Sequence, residues 1–184
     1  MQNSKTAILV VDMLNDFVTG TLKCERGIAI VPKTAKLLDE ARKNGVKVIF
    51  CNDAHLKCID HEFKIWGEHA IAGTKGAEVI PELNLCDKDY VVPKRRYSGF
   101  FHTDLDLLLR ELNIDTVIMT GLHTHMCVRH TAADAFSLGY DIVVAADATD
   151  SFTREDYEAG INYLKTVYGA TVYSVDELCE LFKK

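Results

Sequence analysis

The sequence predicts an α/β fold built on a parallel sheet. Three observations lead there. Short, nearly continuous apolar runs recur along the chain, as expected of strands covered on both faces. Segments with helical periodicity alternate with them, which implies βαβ units with right-handed crossovers. Helix stops and caps fall between the two kinds of segment.

The elements follow in order. Ala7–Asp12 (AILVVD) is an apolar run of strand length. Val31–Asn44 carries Val31, Ala35, Leu38 and Ala41 at helical spacing, and Gly45 supplies a left-handed stop. Val46–Cys51 (VKVIFC) reads as the second strand and Asp89–Pro93 (DYVVP) as a weaker third. Thr103 is a possible cap for a helix whose apolar face is Leu105, Leu108, Leu109 and Leu112. Thr116–Gly121 (TVIMTG) is the fourth strand. A helix is expected from about Cys127 to Leu138, closed by Gly139, and Asp141–Ala146 (DIVVAA) is the fifth strand. Thr153 opens a helix that ends near Gly169, Thr171–Ser174 is a short last strand, and Ser174 with Glu177 forms a capping box for a terminal helix.

The 184 residues suit one domain, taken as residues 1–184, and a domain of this size buries roughly 70% of its unfolded surface. No apolar run approaches the ~18–20 residues of a membrane span. The start is too polar for a secretory signal, so a cytoplasmic location is expected. A net charge of −6 argues against a nucleic-acid partner, which calls for clustered Lys and Arg. Six cysteines without a C-x-x-C pair read as reduced thiols, five of them packing residues.

Ligands of open α/β sheets sit at the carboxyl ends of strands. Asp12, Asp53, Lys94 and the Gly121–Cys127 loop all follow predicted strands, so they should converge. Asp12 reads either as a loop-anchoring carboxylate or as a general acid or base. Lys94 reads as a surface lysine or as a cation holding a carboxylate and a thiol anionic, with Arg95 and Arg96 competing for that role. Cys127, where a strand ends and a helix begins, reads as a core cysteine or as a thiol whose pKa the helix N-terminus lowers. The stretch from Asn52 to Leu85 is too long for an idle loop. Within it Asp53 and His55, two apart in extended chain, point to one side and suit one metal, and His69 could complete a two-His, one-carboxylate set. Glu62, Asp60 and His61 are further possible ligands, and spacing does not choose among them. Trp66 and Phe17 read as packing residues or as an aromatic clamp for a flat substrate.

These residues together resemble the isochorismatase-like cysteine hydrolases, most closely the branches of nicotinamidase/pyrazinamidase and N-carbamoylsarcosine amidase. The carrying stretches are AILVVDMLNDF, NDAH with WGEH, VVPKRRYSGF and TGLHTHMCVRHTAADA. The resemblance implies a three-layer Rossmann-like fold with a six-stranded parallel sheet flanked by helices on both faces. It implies a catalytic triad of Asp12, Lys94 and Cys127. It also implies a cis peptide at Leu122–His123 and an oxyanion hole from the backbone N–H groups of His123 and Cys127. Asp53, His55 and His69 fall on the positions of a divalent metal's ligands, zinc first and iron or manganese otherwise. Phe17, Trp66 and Leu122 fall at substrate-contacting positions. A small amide substrate releasing ammonia is implied, with a homo-oligomeric assembly. An N-carbamoylsarcosine or ureido-type amidase and a non-catalytic binding protein are the alternatives. Two departures stand out. Leu56 replaces the proline of the usual D-x-H-P, and His123 and His125 flank the nucleophile loop where other residues are expected.

Overall fold

A computed structural model describes residues Met1–Lys184. Six strands form one parallel sheet in the order β3-β2-β1-β4-β5-β6. They are β1 (Thr6–Val11), β2 (Lys47–Asp53), β3 (Tyr90–Lys94), β4 (Thr116–Leu122), β5 (Asp141–Asp150) and β6 (Thr171–Tyr173). Every β1 residue is buried, as a central strand covered on both faces must be.

Alternation along β1 divides the core in two. Ile8 and Val10 face α2 (Glu25–Lys43) and the terminal helix α7 (Val175–Phe182). Ala7, Leu9 and Val11 face α4 (Leu105–Glu111), α5 (Arg129–Ser137) and α6 (Arg154–Tyr168). Two one-turn helices, α1 (Asn15–Val18) and α3 (Phe63–Trp66), lie in the loops after β1 and β2. No helix is long and apolar enough to cross a membrane.

Two local expectations need correction. The helix expected from Val31 begins at Glu25 and carries Pro32 inside it. Proline favours a first turn, so the sequence points to a start near Val31, but packing against the sheet sustains the longer helix. The fifth strand runs past Ala146 to Asp150, because β5 shifts register between its pairings with Met119 and Gly121 and then resumes along the end of β4. The capping box is present in full: Ser174 Oγ accepts from the Glu177 N–H while the Glu177 carboxylate accepts from the Ser174 N–H at 2.7 Å.

The chain leaves β1 toward β2 and β3 on one side and β4 onward on the other. The crevice at this reversal, beyond the carboxyl ends of β1 and β4, is where such sheets bind ligands.

Candidate active site

Asp12 follows β1 directly and is fully buried, with a left-handed φ of 51° that turns it out of the strand. Its Oδ1 accepts from the Asp53 N–H at 2.7 Å, and its Oδ2 lies 2.7 Å from Lys94 Nζ. Lys94 ends β3 as the register partner of Asp53 at the end of β2. The pairing brings Lys94 Nζ to 2.6 Å from Asp53 Oδ1, so one buried ammonium bridges two buried carboxylates. Arg95 and Arg96 do not compete for this position, since both reach Asp60 instead.

Cys127 lies in a π-helical turn, Thr124–Val128, that follows a cis peptide at Leu122–His123 and runs into α5. The expected α-helix start at Cys127 is therefore a wider turn, closed by Val128 N–H donating to the His123 carbonyl. The thiol is buried, and both Asp12 and Lys94 influence its titration. Burial pushes the thiol pKa well up, the Lys94 ammonium opposes this, and the Asp12 and Asp53 carboxylates add to it. The expectation of a depressed thiol pKa is thus corrected: in this enclosure the resting group is the thiol. Burial first, and Asp53 second, raise the Asp12 carboxyl to about 7 against the pull of Lys94. Asp12 is poised to take up and return a proton.

Beside this trio, ligand atoms of Asp53, His55, Glu62 and His69 all lie within 4.8 Å of one another. The two imidazoles are oriented from behind. His55 Nδ1 sits 3.2 Å from Asp60 Oδ2, and His69 Nδ1 sits 2.8 Å from the Gly67 carbonyl. Each ring therefore turns Nε2 toward Asp53, at 3.5 Å for His55 and 4.0 Å for His69. His55 Nε2 is buried without a hydrogen-bond partner, and burial with the nearby Asp53 charge raises Glu62 to about 7. A cation at the centre would relieve both. Two imidazoles and two carboxylates, with the imidazoles braced by an outer shell, fit a divalent metal. Among the three further candidates Glu62 joins the set, Asp60 braces His55, and His61 is exposed.

The long segment after β2 is anchored by backbone bonds. His55 N–H donates to the Ala70 carbonyl, Ala72 N–H to the His55 carbonyl, and Ala54 N–H to the Lys94 carbonyl. Asp16 holds the far side by accepting from the Ala70 N–H at 2.8 Å.

Cys127, Asp53, Glu62 and His69 of the metal set, and a wall of rings line one pocket. Phe17 and Trp66 both line it. Leu122 does not, contrary to expectation. Leu122 packs against Gly27 of α2, on the core side, while His123 lines the pocket. His125 is also turned away, its Nδ1 lying 2.9 Å from Ser151 Oγ. Sequence reasoning missed Tyr97 and Phe152. Tyr97 accepts from Trp66 Nε1–H at 3.0 Å, and Phe152 stacks on His123 at 3.9 Å between ring centroids. Tyr97 stood in the YSGF stretch. Phe152 follows the true end of β5, and the strand-end rule finds it once that end is set at Asp150.

The Isochorismatase domain model matches residues 6–177. Among solved structures, an N-carbamoylsarcosine amidase from Thermoplasma acidophilum is 41% identical, with a TM-score of 0.87 over 94% of this chain and 97% of that one. A nicotinamidase from Bacillus subtilis is 34% identical, with a TM-score of 0.87 over 92% of this chain and 99% of that one. A pyrazinamidase of Pyrococcus horikoshii, solved in complex with zinc, is 29% identical, with a TM-score of 0.85 over 92% and 99%. A family match across nearly the whole chain, on the same fold, makes this protein a member of the isochorismatase family of hydrolases, related to nicotinamidase and N-carbamoylsarcosine amidase.

Proposed function

We propose that the protein is a cysteine amidohydrolase that releases ammonia from a small, flat amide of the nicotinamide type. The observation that carries this reading is a lysine bridging two carboxylates, all three buried at the carboxyl ends of the strands where the buried Cys127 thiol also lies. Asp12 accepts the Cys127 thiol proton as sulfur attacks the carboxamide carbon. Lys94 keeps the ionised partners paired throughout. Backbone N–H groups of His123 and Cys127 receive the oxyanion, and one such donor is worth ~3–4 kcal/mol in the transition state. Asp12 returns the proton to the leaving nitrogen, ammonia departs, and a thioester to Cys127 remains. Water, deprotonated by Asp12, then attacks the thioester carbon, and the acid leaves as sulfur recovers its proton.

Asp53, His55, Glu62 and His69 would hold a divalent metal, with zinc the first candidate given the zinc in the Pyrococcus horikoshii structure. Bound there, the ion would supply a Lewis-acid site that orients substrate or water. A second reading keeps the same trio but takes an N-carbamoyl or ureido substrate, and likeness to the Thermoplasma acidophilum amidase supports it. An ammonia-release panel with nicotinamide, pyrazinamide and N-carbamoylsarcosine separates the two. Cys127→Ala should abolish turnover and leave metal content unchanged; retained activity in that variant would sink the thioester route.

A further inference from the structure

The YSGF stretch and the run from Cys127 to Asp134, apart in sequence, meet in the fold through two hydrogen-bonded rungs. Thr131 and Asp134 lie three apart on α5 and so share a face. Thr131 Oγ1 accepts from the Gly99 N–H at 3.0 Å, and Asp134 Oδ2 accepts from the Ser98 hydroxyl at 2.5 Å. Ser98 Oγ accepts in turn from the Phe100 N–H at 3.1 Å. A threonine hydroxyl bonded to the carbonyl four residues back is ordinary within a helix. Here that carbonyl belongs to Cys127, 2.7 Å away, and the same oxygen takes a donor from another element. Thr131 is fully buried, so neither bond is exchanged for water without cost.

The loop held in this way is residues 95–100, between β3 and α4. Its backbone takes part in a single backbone–backbone hydrogen bond, from Phe101 N–H to the Ser98 carbonyl at 3.3 Å. Side chains therefore set its place. The loop follows Lys94 directly and carries Tyr97, whose hydroxyl accepts from Trp66 Nε1–H at 3.0 Å. Tyr97, Trp66 and Cys127 line one pocket. On the opposite side a Cβ on Gly99 would lie 3.3 Å from Cys51 Sγ of β2. The loop is pinned between β2 and the helix that follows the nucleophile.

We propose that Thr131 and Asp134 are positioning residues, forming a clasp that fixes the Tyr97 wall at a set distance from Cys127 so that a bound amide meets sulfur in attacking register. The proposal rests on the amidohydrolase reading of Cys127 and is independent of which amide is the substrate.

The test compares wild type with Thr131→Val, which keeps the shape and removes the hydroxyl, Thr131→Ser, which keeps the hydroxyl, and Ser98→Ala, which cuts the other rung. Nicotinamide, pyrazinamide and N-carbamoylsarcosine are the substrates, assayed below each variant's Tm. In Thr131→Val kcat should fall by about 10–100-fold with a smaller change in KM, because a misplaced nucleophile slows attack more than binding. Thr131→Ser should recover most of that loss. The double variant Thr131→Val with Ser98→Ala should lose less than the product of the single losses, as members of one unit do. Trp66 is the only tryptophan, so acrylamide quenching of its emission reads the Tyr97 wall without turnover. Quenching should rise in Thr131→Val and in Ser98→Ala. If Thr131→Val does not fold, Ser98→Ala carries both readouts.

A lower Tm with kcat and quenching unchanged would make the clasp purely structural and overturn the proposal. A loss confined to KM, no recovery in Thr131→Ser, or losses that multiply would overturn it as well. Raised quenching in a protein whose wild type hydrolyses none of the amides defeats the amidohydrolase reading and leaves the clasp on Tyr97 standing. Hydrolysis that neither rung affects does the reverse.

Discussion

Lys94 carries one positive charge between two carboxylates, all three fully or almost fully out of solvent. Burial alone would drive its proton off, but Asp12 and Asp53 together hold its pKa well above the usual lysine value. Lys94→Met should therefore cost more than activity. It leaves Asp12 and Asp53 buried and uncompensated, and breaking such a pair from one side costs about 3–5 kcal/mol. Urea unfolding should show a lower midpoint, and an unchanged midpoint would mean that the carboxylates are already neutral in the folded state. Asp60 acts at one remove. It braces His55 Nδ1 and is in turn ion-paired with Arg95. Burial by itself would raise its pKa, but Arg95 and the Leu56 N–H outweigh that and hold it well below the carboxylate range. Asp60→Asn should weaken metal binding by roughly 10–100-fold, the usual cost of losing an outer-shell partner. Competition with a chromophoric chelator measures it. Asp12, Lys94 and Cys127 were legible as candidates because each follows a strand. The direction of the thiol's shift was not, because its burial and neighbouring charges come from β1, β2 and β3, far away in sequence.

The β4 strand and its turn show how one small residue sets the crevice. Gly121 sits at φ 97°, and a Cβ there would lie 2.0 Å from the Val11 carbonyl oxygen of β1. Only glycine lets β4 run this close to β1 at such a φ. Gly121→Ala must part the two strands at Val11, just before Asp12. We expect a loss of roughly 3 kcal/mol, seen as a fall of ~6–12 °C in Tm for a chain of this size. A fall below 2 °C would mean that the strands separate at little cost. Strand existence was legible from apolar runs, and helix α6 from its caps, since Thr153 and Gly169 bound it as expected. The extended end of β5 was not legible. Its last residues, Thr149 and Asp150, pair only after a register shift, and local patterning carries no mark of such a shift. That one displacement hid Phe152.

The whole site draws on both wings of the sheet, and its parts differ in how they are held. Asp12 follows the central strand β1, Lys94 ends the edge strand β3 and Cys127 lies in the turn after β4, and all three are buried. Three of the four metal-set residues, His55, Glu62 and His69, come instead from the segment between β2 and β3, which few backbone bonds tie to the sheet. The carboxylates of Asp53 and Glu62 converge on two imidazole nitrogens, and Lys94 engages the other oxygen of Asp53. A divalent ion bound there would close the segment onto β2 and stabilise the fold by mass action. At a free zinc concentration 100 times the dissociation constant the gain is about 2.7 kcal/mol, or a rise of roughly 5–10 °C in Tm. The rise should persist in Cys127→Ala, whose thiol lies outside the set, and vanish in His55→Ala with His69→Ala. Hydrogen exchange should slow first in residues 54–72, while α6 and α7 keep their metal-free rates until global opening. An unchanged Tm at saturating zinc, or protection spread evenly over the chain, would detach the cluster from metal binding and leave the thiol, Asp12 and Lys94 to work without it.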